Sequence, residues 1–344
     1  MFKMFSTFIA VVISFTSPSL NANIPASLTI NIISTELNGK AGKAVDAKIL
    51  KEEFEKYGHR VHLWRFKQED QIPFAHINVF LAQCQYNLLS KATLNWFIPN
   101  PEACKVEIED LQKFDLILCK TDECLRIFQP ICKEVYFLGF TSFDKYQPTV
   151  TKDFSKYIHV AGRSPRKGTQ EILNVWTENL GLPSLMVVKR IDQKMLDIKN
   201  VEIINEYLPG VLLLSLQNEC GVHLCPSKTE GFGHYLMEAM SAQAVVVTTD
   251  APPMNEFIKD KRCLVKYSHI SKENYGVMYK IDENSLAETV SLLQQLPMEE
   301  LHHIAKLNRE EYLRRKEGFQ HNFENLLNQA VFNLKTKEKS SWIL

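Results

Sequence analysis

Residues 223–256 read HLCPSKTEGFGHYLMEAMSAQAVVVTTDAPPMNE. The apolar run ending at Pro226 has the composition of a buried strand, and a short polar loop carries the chain to Glu230. Gly231-Phe232-Gly233 then opens a helix that reaches Ala242, and AVVVTT (244–249) starts the next strand. Two glycines at a helix start leave backbone amides open to close approach, where the helix dipole favours negative charge. The spacing therefore predicts a phosphate or diphosphate at Gly231, Phe232 and Gly233. Glu238 lies two turns further on, facing back toward the same cleft. A carboxylate there repels phosphate and suits sugar hydroxyls; standing alone it reads as an exposed helix glutamate.

Outward from this stretch the same alternation repeats. SLTINIIS (27–34), a helix over 41–57 closed by Gly58, RVHLWRF (60–66), INVFLA (77–82), TLNWFI (93–98), DLILCK (115–120) and EVYFLG (134–139) form a first series. A turn-prone stretch, TSFDKYQPTVTKDF (141–154), reads as a linker. YIHVAG (157–162), SLMVVK (184–189), GVHLCP (221–226), AVVVTT (244–249) and RCLVKY (262–267) form a second series. Helices are expected near 168–179, 232–242, 254–259 and 284–296, with a charged helical tail over 298–336. The alternation predicts two α/β units, each a parallel sheet covered by helices, with ligands at the carboxyl ends of the strands.

The 344 residues suit two domains, and 45% hydrophobic with 23% charged residues is a globular balance. Forty basic and forty acidic residues give a net charge of zero, which argues against a whole-protein grip on nucleic acid or an anionic membrane. No apolar run reaches the roughly 18 residues of a spanning helix, so a polytopic membrane protein is excluded. Residues 1–22, with Lys3, an apolar core from Phe5 to Phe15 and Leu20-Asn21-Ala22, have the layout of a signal peptide or N-terminal anchor. The chain is then secreted, periplasmic or membrane-anchored where the leader is used, and cytoplasmic where it is not. Eight cysteines permit disulfides, although Cys119 and Cys225 end apolar runs as buried thiols do.

HVAGRSPRKGTQEIL (159–173) carries the second chemical signal. A strand runs into Gly162, and Arg163, Arg166 and Lys167 cluster before Gly168 and a helix. Three cations at a strand-to-helix turn clamp a diphosphate or simply make a solvated turn. Together with the glycine-led helix, the diphosphate is the stronger reading.

Glu230-x7-Glu238 with Ala239-Met240, Pro226-Ser227 before it and Gly162-Arg163…Lys167-Gly168 upstream, resembles the C-terminal domain of GT-B glycosyltransferases. It is similar to the large retaining family often called group 1, or family 4. The resemblance is strong over about 157–258 and weaker over 28–140, where Gly39/Gly42 and Gly58-His59-x-Val61 match the usual opening. It implies two Rossmann-like, doubly wound parallel-sheet domains facing a central cleft: 23–145 for the acceptor, 146–318 for the donor, and a helix over 319–344 crossing back to the first domain. It implies a nucleotide-diphosphate sugar donor, an unidentified acceptor (glycan, lipid or protein), and retention of anomeric configuration. No metal or other cofactor is implied, and no DxD motif is present.

Carried over residue by residue, Arg163 and Lys167 neutralise the departing diphosphate and Glu230 binds donor sugar hydroxyls. Gly231, Phe232 and Gly233 offer amides, Glu238 takes the ribose, and Gly39 belongs to the first-domain loop. Preorganised cations and amides offset the charge that develops on the diphosphate. The turn is shorter than the family's, which puts Arg166 forward as an alternative to Lys167. Gln243-Ala244 stand where the family has glycine and proline, and Glu256 matches a common glutamate. His234 replaces an apolar residue, and either touches the donor or packs in the helix.

Other readings of the residues stay open. His223, Cys225, His234 and Glu238 have zinc-compatible types, which would make a zinc-dependent hydrolase. A catalytically silent sugar- or nucleotide-binding module is the non-enzymatic alternative. Trp96, Phe97 and Pro99-Asn100-Pro101-Glu102, with His76 and Asn78, line an acceptor side or belong to the core. His159 reads as a buried strand residue. His302, His303, Arg309, Arg314 and Arg315 read as a solvated helix face.

Overall fold

The computed structural model describes residues 27–37, 42–189, 197–206 and 208–341. The leader and Gly39 lie outside the described residues. The first domain is a parallel sheet of β1 (Thr29–Ser34), β2 (Arg60–Arg65), β3 (Ala75–Leu81), β4 (Ala92–Ile98), β5 (Leu116–Cys119) and β6 (Val135–Phe137), in the order β2-β1-β3-β4-β5-β6. Its helices are α1 (Gly42–Lys56), α2 (Ile108–Leu111) and α3 (Asp122–Phe128).

The second sheet is built from β7 (Asp153–Gly162), β8 (Ser184–Lys189), β9 (Val201–Ile204), β10 (Cys220–Cys225), β11 (Val245–Thr249) and β12 (Leu264–Val265). Its order, β12-β11-β10-β7-β8-β9, is the six-stranded doubly wound order, with the chain reversing direction across the sheet between β7 and β10. The helices α4 (Thr169–Glu178), α5 (Gly210–Glu219), α6 (His234–Ser241) and α7 (Glu283–Gln295) accompany it. An antiparallel hairpin, β13 (Tyr267–Glu273) and β14 (Gly276–Ile281), follows β12. The last helix, α8 (Met298–Ser341), is unbroken, so the division drawn at residue 318 falls inside it. Among the described residues no helix is long and apolar enough to cross a membrane.

β9, α5 and the β13–β14 hairpin are absent from the sequence reading. β9 is only four residues, VEII, too short to show a period, and β13 is exposed at every position before Glu273 and carries no apolar run. The helix expected over 254–259 is a single 3-10 turn, Met254–Glu256. Pro252 and Pro253 offer no N–H at its entry, and the Asp260 side chain starts a new turn by accepting from Arg262 N. Of RCLVKY only Leu264–Val265 joins the sheet.

The charged face expected on α8 is also different, because one side of this helix lies on the second domain. Arg309 pairs with Asp144, donates to Ser241 O at 2.7 Å, and sits over the Tyr146 and Tyr312 rings. Arg315 donates to the Glu256 carbonyl and covers Phe257, and the His302 ring packs on Phe154 at 4.7 Å. Further along, Asn322 O accepts from Tyr136 OH, and Phe323 packs against Phe54 of α1.

A run of polar groups lies inside the first sheet. Asn31, Asn78 and Asn95 face one another in register on β1, β3 and β4. Asn31 Nδ2 donates to Asn78 Oδ1 at 3.1 Å, and Asn78 Nδ2 to Asn95 Oδ1 at 3.3 Å. Asn78 is thus a fully buried structural residue, and His76 accepts from Thr29 N at the amino edge of the sheet. Neither lies on an acceptor surface. Trp96 and Phe97 are core. None of the eight cysteines is in a disulfide.

Gln243 (φ +58°) occupies the left-handed position after α6. Its N–H bonds Met240 O, and Ala244 N bonds Ala239 O, the pattern that glycine normally closes. Gln243→Gly should raise the unfolding free energy by up to about 1 kcal/mol, read from urea titrations. Burial lowers the pKa of His159 to about 4 and of His223 to about 3. Both are depressed, so the stability they confer is present above about pH 6.5 and lost as pH falls toward the folded values. Between pH 7 and pH 5 the unfolding free energy should fall by about 2 kcal/mol for each histidine. His223→Asn should remove about half of that slope.

Candidate active site

The reversal between β7 and β10 leaves a crevice at their carboxyl ends, and both chemical signals of the sequence emerge there. After β7 the chain turns at Gly162, and Ser164 Oγ caps a 3-10 turn over Pro165–Lys167. Gly168 (φ +73°) ends it, and a Cβ there would meet Pro226 O at 2.2 Å. Only glycine lets the basic turn lie on the loop after β10. Lys228 N completes the joint by donating to Arg166 O at 2.8 Å.

Lys167 and Glu230 form an ion pair, and Glu230 also accepts from Ser227 Oγ. The Lys167 ammonium stands 3.8 Å from the Tyr235 ring centroid, and Tyr235 OH meets Ser227 Oγ at 2.5 Å. Arg166 pairs with Glu273 on the hairpin. Arg163 is exposed and makes no ion pair among the described residues. Gly233 (φ +105°) turns the chain into α6. Gly231 is covered from the first domain, where a Cβ would lie 2.4 Å from Asn100 Cγ.

The structure thus joins Arg166, Lys167, Glu230 and the glycine-led helix. Glu238, further along α6, contacts Lys145 of the linker and Gln217 at the end of α5, each at 3.5 Å. The Phe232 ring is buried between Phe140, at 5.3 Å, and Phe257, at 5.5 Å. His234 faces the first domain, with Nε2 2.9 Å from Asp46 Oδ1 and Nδ1 2.8 Å from Ser142 Oγ. The zinc set does not assemble. His223 is bonded to Gln217 O, His234 is turned to Asp46, and among the described residues no three His, Cys, Asp or Glu side chains converge as metal ligands.

Asp46 and Lys120 escaped the sequence reading. Asp46 lies on the buried face of α1, Lys120 directly follows β5, and their side chains meet at 2.8 Å with 4% and 2% exposure. An acid among the apolar positions of α1 was the available signal. Burial raises the Asp46 pKa, but the Lys120 ammonium and the His234 contact outweigh it and hold the carboxyl at about 2. Glu256 also reaches across: its carboxylate accepts from Asp122 N at 3.0 Å and Glu123 N at 2.8 Å, while burial lifts its pKa to about 7.

Residues 188–275 match the family model described as glycosyl transferases group 1. This stretch is similar to that family, and the two doubly wound sheets of the chain are the GT-B fold. No curated protein sequence matches it significantly. Among solved structures, sucrose-phosphate synthase from Thermosynechococcus elongatus aligns with a TM-score of 0.68 at 12% identity, covering 89% of this chain and 99% of that one. An alpha-glucosyltransferase in complex with UDP-glucose and abasic-site DNA gives 0.56 at 13% identity, over 89% and 100%. The pneumococcal O-GlcNAc transferase GtfA, in complex with UDP and GlcNAc, gives 0.55 at 14% over 74% of this chain, which spans 57% of its length. At these identities the likeness is one of fold.

In this GT-B fold the buried Asp46–Lys120 pair joins α1 to the carboxyl end of β5. Asp46→Asn leaves the Lys120 charge unpaired and should lower the unfolding free energy by about 3–5 kcal/mol in urea titrations. Because the Asp46 pKa is depressed in the fold, the wild-type contribution is present above about pH 4 and lost as pH falls toward 2.

Proposed function

We propose that the chain transfers a hexosyl unit from a nucleotide-diphosphate sugar to an acceptor with retention of anomeric configuration. The observation that carries this reading is the meeting of Lys167 with Glu230 at the switch point of the second sheet, beside the glycine-led helix. In this reading Arg163, Lys167 and Arg166 take the diphosphate, and Glu230 exchanges Lys167 for donor sugar hydroxyls. The amides of Gly231–Gly233 add donors once Asn100 withdraws. Charge builds on the leaving diphosphate as the anomeric bond breaks, and fixed cations offset it without a metal. Glu238 takes the ribose by releasing Lys145, and His234 acts as an interdomain contact. Gly39 stays with the first-domain loop as a donor contact by resemblance.

The paired cations and the covered Gly231 favour one other reading, a module that binds nucleotide without turnover. Zero net charge argues against a nucleic-acid acceptor, yet a fold neighbour is DNA-bound, so DNA joins glycans, lipids and peptides in the acceptor panel. A screen of nucleotide sugars, UDP-glucose first, with and without chelator, separates the readings. Chelator-insensitive hydrolysis or transfer with a retained anomer supports the enzyme; binding without turnover across the panel supports the module. Lys167→Ala should lower kcat/KM for the donor by about 10²–10³-fold. An unchanged value removes Lys167 from the site.

A further inference from the structure

The β13–β14 hairpin reaches over to the first domain at its tip. Asn274 Nδ2 donates to Glu102 O at 2.7 Å, Tyr275 N to Pro101 O at 3.1 Å, and Tyr275 OH to Val106 O at 2.7 Å. The Tyr275 ring packs against Phe128 at 5.3 Å. A Cβ on Gly276 would lie 2.9 Å from Glu102 N, so the tip meets the first domain backbone to backbone. Immediately before this anchor stands Glu273, whose Oε1 takes Arg166. Its Oε2 is buried without a hydrogen-bond partner.

We propose that Glu273 is a tethered counter-anion of the diphosphate corner. Docking of the hairpin tip on the first domain holds it on Arg166, and an incoming diphosphate displaces it. Affinity for the donor is therefore set by an interdomain anchor as well as by the cations themselves. This rests on the nucleotide-sugar reading above. Glu273 cancels one positive charge next to the place where a diphosphate would add several negative ones, in a part-buried setting where such repulsion is weakly screened. The orphaned Oε2 makes the present arrangement exchangeable, because a displaced carboxylate regains hydration on both oxygens. A guanidinium has five N–H donors in a fixed fork, so Arg166 can pass from one carboxylate contact to a two-pronged phosphate contact.

Calorimetric titration of inorganic pyrophosphate and UDP into three proteins tests this. Glu273→Gln keeps the shape and removes the charge; it should bind pyrophosphate about 5–10-fold more tightly than wild type. Asn274→Gly with Tyr275→Phe deletes two hydrogen bonds to the first domain while keeping every residue of the corner and the half-buried ring. It should tighten binding about 2–5-fold by freeing Glu273. No tightening in Glu273→Gln overturns the proposal, and so does tightening there with none in the tip variant. A wild-type protein that binds neither probe overturns the nucleotide-sugar reading and this inference with it.

Discussion

A lysine ammonium with 2% of its side-chain surface exposed is tolerated only beside a carboxylate, and Lys120 finds Asp46. That pair belongs to the first domain, but Asp46 spends its other oxygen on His234 at the start of the glycine-led helix. The charge requirement of one domain thus fixes the entry of the key helix of the other. Around it a column of rings, Phe257, Phe232, Phe140, Phe319, Phe323 and Phe54, runs through both domains and α8. The apolar core is continuous across the domain boundary. With such a contact in place, the two sheets are held as one packed body.

The corner at the switch point follows from strand order and one glycine. Doubly wound connectivity brings the ends of β7 and β10 together, and Gly168 removes the side chain that would keep their loops apart. The cations delivered there are satisfied internally, Lys167 by Glu230 and Arg166 by Glu273. In the proposed reading it is an exchange site: ligand contacts replace protein contacts of the same sign, and the net gain is the difference between two charge-assisted sets.

The strands of the second sheet were legible because parallel strands buried on both faces read as continuous apolar runs. Val245–Thr249 is wholly buried, and Ser184–Lys189 matches its sequence bounds. The hairpin was not, since β13 faces water and its contacts with the first domain lie in three tip residues that no periodicity marks. The basic turn was legible from glycine placement and charge, and Glu230 was named only through the family resemblance. The partners Glu273 and Asn100 were not, because each lies far away in sequence and meets the corner only through tertiary packing. Glu238 shows the converse: helix spacing put it on one face, while the neighbouring α5 and the linker decided what that face meets.

The buried asparagines of the first sheet have a consequence of their own. Each amide is matched to the next strand and to a backbone carbonyl beneath it, Pro73, Leu88 or Leu89. Sliding β3 by one residue against β1 or β4 would turn Asn78 to the opposite face and strand every one of these groups in an apolar interior. Hydrophobic strands slide past one another at little penalty, whereas this polar rung admits a single alignment. It acts as an indexing pin for the domain that presents Asp46 and Lys120 to their partner.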